Sequence, residues 1–123
     1  MQKSQLLEHL QSIIRDERVL NAFSEVKRED FIPKEYKNQA YEDSPLPLGH
    51  GATISQPTTV MLMLQALEVK PGNKILEIGA GSGYNAALLS KLAGNKGKVY
   101  TIEYVKELAK SVEESLKNFK NVK

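Results

Sequence analysis

Apolar positions along the chain change period several times, and each change predicts an element. Leu6, Leu7, Leu10, Ile13 and Ile14 recur at helical spacing behind Ser4, the predicted N-cap. Val19, Leu20, Phe23 and Val26 predict a second, shorter helix, and Pro33 breaks that pattern. From Asn38 to Gln56 no period is sustained. Pro45, Pro47, Gly49 and Gly51 fall in this stretch, which predicts a long ordered loop or a set of short extended pieces. Pro57 opens a third helix with Val60, Met63, Leu64 and Leu67 as its buried face, and Pro71-Gly72 turns the chain after it. Lys74-Ile75-Leu76-Glu77-Ile78 is short, apolar and β-branched, a predicted buried strand that runs into glycines. Tyr84 to Ala93 reads as helix, with Leu88, Leu89 and Leu92 inward and Gly94 as C-cap. Val99-Tyr100-Thr101-Ile102 is a second strand, and Val105, Leu108, Ala109, Val112, Leu116 and Phe119 mark a long amphipathic helix after it. The order β-α-β-α predicts an α/β fold with parallel strands and a right-handed crossover.

Composition narrows the chemistry. With 41% hydrophobic and 26% charged residues the chain is ordinary globular material rather than disordered. A net charge of +2 is too small to suggest a nucleic-acid partner. Lys106, Lys110, Lys117, Lys120 and Lys123 alternate with Glu103, Glu107, Glu113 and Glu114 and read as a solvated face. The chain lacks cysteine, which excludes disulfides, thiol catalysis and zinc–thiolate sites and suits a cytoplasmic setting. His9 and His50 are too few for a metal cluster, and no metal site is expected. No apolar run approaches the roughly 20 residues of a membrane span. The start of the chain lacks a signal-peptide layout.

The most specific local feature is Glu77-Ile78-Gly79-Ala80-Gly81-Ser82-Gly83-Tyr84, between a strand and a helix. Glycines there allow a sharp turn and close approach of a ligand to backbone. The spacing G-x-G-x-G differs from the dinucleotide fingerprint, since Tyr84 follows Gly83, and no P-loop Lys follows either. Glu77 precedes the glycines and Glu103 ends the next strand, so both acids fall at the carboxyl edge of a parallel sheet, where ligands bind. A carboxylate at Glu103 can accept bonds from both hydroxyls of a ribose. A second at Glu77 would repel a diphosphate and suit a cationic ligand. S-adenosylmethionine, with its ammonium and sulfonium, is such a ligand. The competing reading is a purely structural turn. Tyr84 fits either a pocket wall or a core residue.

The string from Asp43 through Pro57, D-S-P-L-P-L-G-H-G-A-T-I-S-Q-P, resembles the substrate loop of protein-L-isoaspartate O-methyltransferases. Arg28 to Pro33 and Ala40 to Asp43 resemble the family's preceding segment, and Leu76 to Tyr84 with Ala86 to Leu89 resembles its cofactor motif. The resemblance runs from about Val19 to Val122, and its one minor departure is Ala52, where the family often has a polar residue. It implies a Rossmann-like doubly wound S-adenosylmethionine methyltransferase fold, here incomplete, with an N-terminal helical segment and only the first two parallel strands. Two segments are expected: 1–56, helical and carrying the substrate loop, and 57–123, the first part of the cofactor-binding domain.

The activity implied is methyl transfer from S-adenosylmethionine to the free α-carboxylate of L-isoaspartyl residues in damaged proteins, leaving S-adenosylhomocysteine. The ester then closes to a succinimide that can hydrolyse to normal aspartate. A carboxylate is already ionised at neutral pH, its reference pKa being about 3.9. It needs orientation and exclusion of water more than a strong base. Ser55 matches the family's active-site residue, and Thr53 lies beside it; alternation in an extended segment puts both on one side. Ser55 also fits an N-cap for the helix at Pro57, and His50, between glycines, fits a plain loop residue. The implied cofactor residues are Glu77, Gly79, Ala80, Gly81, Gly83, Tyr84 and Glu103.

Two parallel strands cannot bury both faces or satisfy both edges. The chain is therefore expected to be a piece of a longer protein, with little turnover of its own and a tendency to self-associate through an uncovered strand edge. The alternatives are a non-catalytic cofactor-binding or folding fragment, and a methyltransferase of another substrate. No nucleic-acid or membrane partner is expected.

Overall fold

The computed structural model describes the whole chain, Met1–Lys123. Two helices open it: α1 (Lys3–Gln11) and α2 (Glu17–Glu25). Ser4 lies inside α1; the cap is Gln2, whose N–H donates to Gln5 Oε1 at 2.8 Å. The longer Gln5 side chain reaches back over the first turn, so Ser4 is not the cap. Asp16 caps α2 by accepting from Arg18 N at 2.9 Å. Leu6, Leu10, Val19 and Phe23 are buried, as the periodicity predicts.

The aperiodic stretch resolves into short 3-10 turns, Arg28–Phe31 and Lys34–Gln39, followed by an antiparallel hairpin of β1 (Leu46–Gly49) and β2 (Ala52–Ile54). His50 and Gly51 form its tip, both at positive φ, which explains a glycine there. Helix α3 (Pro57–Leu67) begins with proline at its first position. Its buried face is Pro57, Val60, Met61 and Leu64 rather than the predicted Val60, Met63, Leu64 and Leu67. Met63 is 68% exposed, and Leu67 is also exposed. The helix is rotated because its two ends are tied down. Asp43 holds Thr58, and Gln65 Oε1 accepts from Arg15 N at 2.6 Å and Asp16 N at 2.9 Å.

Strand β3 (Lys74–Ile78) pairs in parallel with β4 (Lys98–Ile102), with Leu76 opposite Tyr100 and Ile78 opposite Ile102. Between them runs α4 (Tyr84–Ala93), and α5 (Lys106–Leu116) follows β4. The far edge of β4 is met by the last residues: Val99 bridges Val122 in parallel, and Lys123 N donates to Val99 O at 2.7 Å. Asn121-Val122-Lys123 therefore lies along the edge of β4 in a short parallel pairing. Helix α4 packs between α2 and the sheet. Arg18 of α2 donates to Val69 O and Leu92 O, so the helical segment and the sheet segment share one core.

The buried strand predicted at Lys74–Ile78 is buried on one face only. Ile75 and Glu77 point toward α4, whereas Leu76, Ile78, Tyr100 and Ile102 line an uncovered face, Ile78 at 78% exposure. Its apolar composition is that of a strand covered on both sides.

The α4–β4 connection sets a steric test. A Cβ on Gly97 would lie 2.6 Å from both Ala93 Cβ and Ala93 O and 2.7 Å from Asn73 O. Backbone on two sides leaves nothing to yield. Gly97→Ala is expected to lower stability by about 1–3 kcal/mol, the cost of overpacking, measured by urea unfolding. An unchanged midpoint would contradict this packing.

Candidate cofactor and substrate site

The turn from β3 into α4 is built by backbone conformation. Gly79, Gly81 and Gly83 have φ of +89°, +57° and +89°, a region that side chains resist. Their surroundings differ. A Cβ at Gly79 would meet nothing within 4 Å, whereas one at Gly83 would sit 3.4 Å from Leu116 and Val112 of α5. Gly79 therefore leaves backbone open to a ligand, and Gly83 allows close helix packing.

The amides of this turn are already engaged. Gly79 N and Ala80 N donate to Ile102 O at 2.8 and 3.0 Å, and Gly83 N donates to Ala80 O at 2.9 Å. Gly81 N donates to Glu103 Oε1 at 2.8 Å, and Val105 N donates to Glu103 Oε2 at 3.0 Å. A phosphate cradle needs free N–H groups aimed at the ligand; these are spent within the fold. Glu103 thus clasps the turn to the start of α5. The N–H bonds from Val105 and Gly81 hold its carboxyl below the usual range, so it stays ionised, and each oxygen keeps a lone pair for a further donor.

Glu77 is held differently. Thr101 Oγ1 donates to its Oε1 at 2.6 Å, and Asn85 Nδ2 donates to its Oε2 at 2.8 Å. Burial pushes its carboxyl up, against the pull of those two bonds, and the neighbouring Glu103 charge adds to the rise. A half-buried carboxylate with acceptor capacity to spare attracts a cation.

Glu77, Gly79, Ala80, Gly81, Tyr84 and Asn85 line a cleft of about 330 Å³ that also holds Thr53, Ser55 and the side chains of Met63 and Leu67. Thr53 and Ser55 are exposed with Ile54 buried between them, so their hydroxyls share a side as alternation requires. Glu103 lines an adjoining cleft of about 350 Å³ across Ala80. Tyr84 is 1% exposed: its ring packs on Phe31 at 5.8 Å between centroids and forms the cleft floor. His50 stays at the hairpin tip, away from the cleft's lining residues.

Ser55 does not cap α3. The N-cap position is Gln56, with no side-chain cap bond. Asp43 takes that role from the preceding loop, accepting from Thr58 N at 2.9 Å and Thr58 Oγ1 at 2.6 Å, with His9 Nε2 at 3.5 Å from Oδ2. The Ser55 hydroxyl is therefore left free of the cap role. Periodicity and motif spacing do not mark Asp43, Asn85 or Thr101 for these roles. Asn85 in the first turn after the glycines, four residues from Gly81, was the one detectable signal; Asp43 and Thr101 act across distances that no local pattern reveals.

A family model described as protein-L-isoaspartate(D-aspartate) O-methyltransferase matches residues 1–123. Among curated relatives, the protein-L-isoaspartate O-methyltransferase of Methanosarcina mazei is 48% identical over 119 residues, covering 95% of this chain and 49% of the relative. That of Aeropyrum pernix is 50% identical over 104 residues, covering 85% and 40%. The chain spans about half the length of the curated relatives it matches. A solved protein-L-isoaspartate O-methyltransferase superposes with a TM-score of 0.89 at 31% identity, over 98% of this chain and 40% of that one. A β-aspartate methyltransferase from Plasmodium falciparum, solved with S-adenosyl-L-homocysteine, gives a TM-score of 0.83 at 32% identity, over 98% and 60%.

Burial pushes the Asp43 carboxyl up, but the bonds from Thr58 outweigh it and hold it below the usual range. A carboxyl depressed in the fold contributes stability that is present above its unfolded value, about 3.9, and lost as pH falls through the folded one. Asp43→Ala is expected to cost about 0.5–2 kcal/mol near neutral pH, with the gap to wild type closing below about pH 4. Thermal melts across pH check it; a gap that persists at low pH would assign the loss to packing instead.

Proposed function

The chain belongs to the protein-L-isoaspartate(D-aspartate) O-methyltransferase family, and on that premise we propose that it carries the donor- and substrate-orienting half of a methyl transfer from S-adenosylmethionine to the free carboxylate of isoaspartyl residues. The observation that carries this reading is the shared cleft: the Thr53 and Ser55 hydroxyls face the same space as Glu77 and the glycine turn.

The residues fit the donor. Gly79 presents open backbone, Glu77 offers a half-buried carboxylate to an ammonium, and Glu103 keeps acceptor capacity for ribose hydroxyls. When bound, S-adenosylmethionine supplies an activated methyl group. Tyr84 and Ala80 shape the floor, and Met63 and Leu67 give the cleft an apolar side. Thr53 and Ser55 donate hydrogen bonds that orient the substrate oxygen. They carry no charge that would trap it, which suits a nucleophile that needs alignment rather than deprotonation. A cytoplasmic setting suits the cysteine-free composition, and no helix is long and apolar enough to cross a membrane.

The open face of Leu76, Ile78, Tyr100 and Ile102 favours a second reading, a cofactor-binding unit of low turnover that self-associates through the sheet. Methylation of an isoaspartyl peptide and its normal aspartyl twin, followed with sedimentation of the same sample, separates the two. Selective methylation supports the enzyme; donor-product binding without methylation, from an associated species, supports the second.

Ser55→Ala is expected to lower turnover about 10-fold or more, the scale of a hydrogen bond to a charged group, while S-adenosylhomocysteine affinity stays within about twofold. Unchanged turnover would remove Ser55 from the reaction. Glu103→Ala is expected to weaken S-adenosylhomocysteine by about 1.5–3 kcal/mol in calorimetry, and an unaltered affinity would end the ribose assignment.

A further inference from the structure

Arg28 is completely buried, yet no carboxylate lies within salt-bridge distance of it. Its guanidinium is spent on the loop instead. Nη1 donates to Ser55 O at 3.2 Å and Nη2 donates to Ser44 O at 3.3 Å. These carbonyls flank the β1–β2 hairpin, one at its entry and one at its exit. The guanidinium also lies over the Tyr84 ring, 5.4 Å from the centroid, and Tyr84 is the first residue of α4 after the glycine turn. The Arg28 backbone is fixed in turn, its N–H donating to Tyr41 Oη at 3.2 Å. One side chain therefore joins both ends of the substrate segment to the element that shapes the donor site.

Burying an arginine without an acidic partner is costly, and the core offers a cheaper filler in any apolar residue of that size. Nε remains without a partner, as does the buried Tyr84 Oη. Packing alone does not explain such a choice. A planar fork that reaches two carbonyls at once does, and lysine lacks that geometry.

Building on the methyl-transfer reading, we propose that Arg28 is a positioning residue for that reaction, setting where the Thr53 and Ser55 hydroxyls stand relative to the glycine turn. In-line transfer is sensitive to displacements of about 1 Å. Loosening the Ser44 and Ser55 carbonyls should therefore lower turnover without touching the donor's own contacts.

Arg28→Lys and Arg28→Gln test this, in the longest natural form of the protein. Three quantities are read: turnover and KM with an isoaspartyl peptide, S-adenosylhomocysteine affinity by calorimetry, and hydrogen–deuterium exchange along the chain. The expected result for Arg28→Lys is turnover reduced about 10–100-fold, with KM and S-adenosylhomocysteine affinity changed less than about threefold. Faster exchange is expected to be confined to residues 44–55. Unchanged turnover and exchange in both variants overturn the proposal. So does exchange that rises throughout the chain, or loss of fold in both variants, because Arg28 then serves the core as a whole. If the wild type methylates no isoaspartyl peptide, the functional reading fails. Exchange in residues 44–55 then still decides whether Arg28 holds the loop.

Discussion

Helix α4 runs through the middle of the protein with Ala86, Ala87, Leu88, Leu89, Leu92 and Ala93 all buried, and the remaining elements are arranged to cover it. A helix enclosed this way needs small residues where neighbours come close and large ones where space remains. Both kinds of residue are present on α4, which packs between α2 and the sheet. The first turn of α4 is held by a glycine turn in left-handed backbone. The turn is thereby joined directly to the most buried helix of the fold.

Rigidity matters most at the two acids. Glu77 and Glu103 are close in space and carry like charges, and the structure separates their duties. Glu103 is ionised and fastened to backbone amides, so it braces the turn and keeps spare acceptors. Glu77 is half-buried and held by Thr101 and Asn85, and desolvation raises its carboxyl from the ordinary value. Pairs of groups driven apart in this way are typical of sites built for a specific ligand. The engaged amides of Gly79, Ala80, Gly81 and Gly83 leave the turn few free N–H groups to aim at a phosphate, unlike the glycine loops of the dinucleotide folds.

The other wall of the cleft is assembled from long-range ties as much as from regular structure. Asp43 caps α3, Gln65 anchors the α1–α2 junction, and Arg28 grips both ends of the hairpin. These bonds cross tens of residues, and together they turn an aperiodic stretch into an ordered wall of the cleft. Rotation of α3 by the same ties puts Met63 and Leu67 into the cleft instead of the core, which converts two residues with core-like spacing into an apolar lining.

Period and punctuation in the sequence were enough to determine α1, α2, α4, α5 and the two parallel strands, because each depends on local backbone preference and on a face that must leave water. The glycine turn with its flanking acids was legible for the same reason: positive φ demands glycine, and strand-to-helix order places the acids at one edge. Four things were decided only in three dimensions. These were the hairpin at 46–54, the rotation of α3, the transfer of the helix cap from Ser55 to Asp43, and the burial of Arg28. The last three rest on bonds between residues 15 or more apart in the chain, and Arg28 ties the hairpin at both its ends. Periodicity records which face is apolar but not what meets it, so Met63 and Leu67, apolar at core-like spacing, stand exposed where neighbours rather than local pattern set burial.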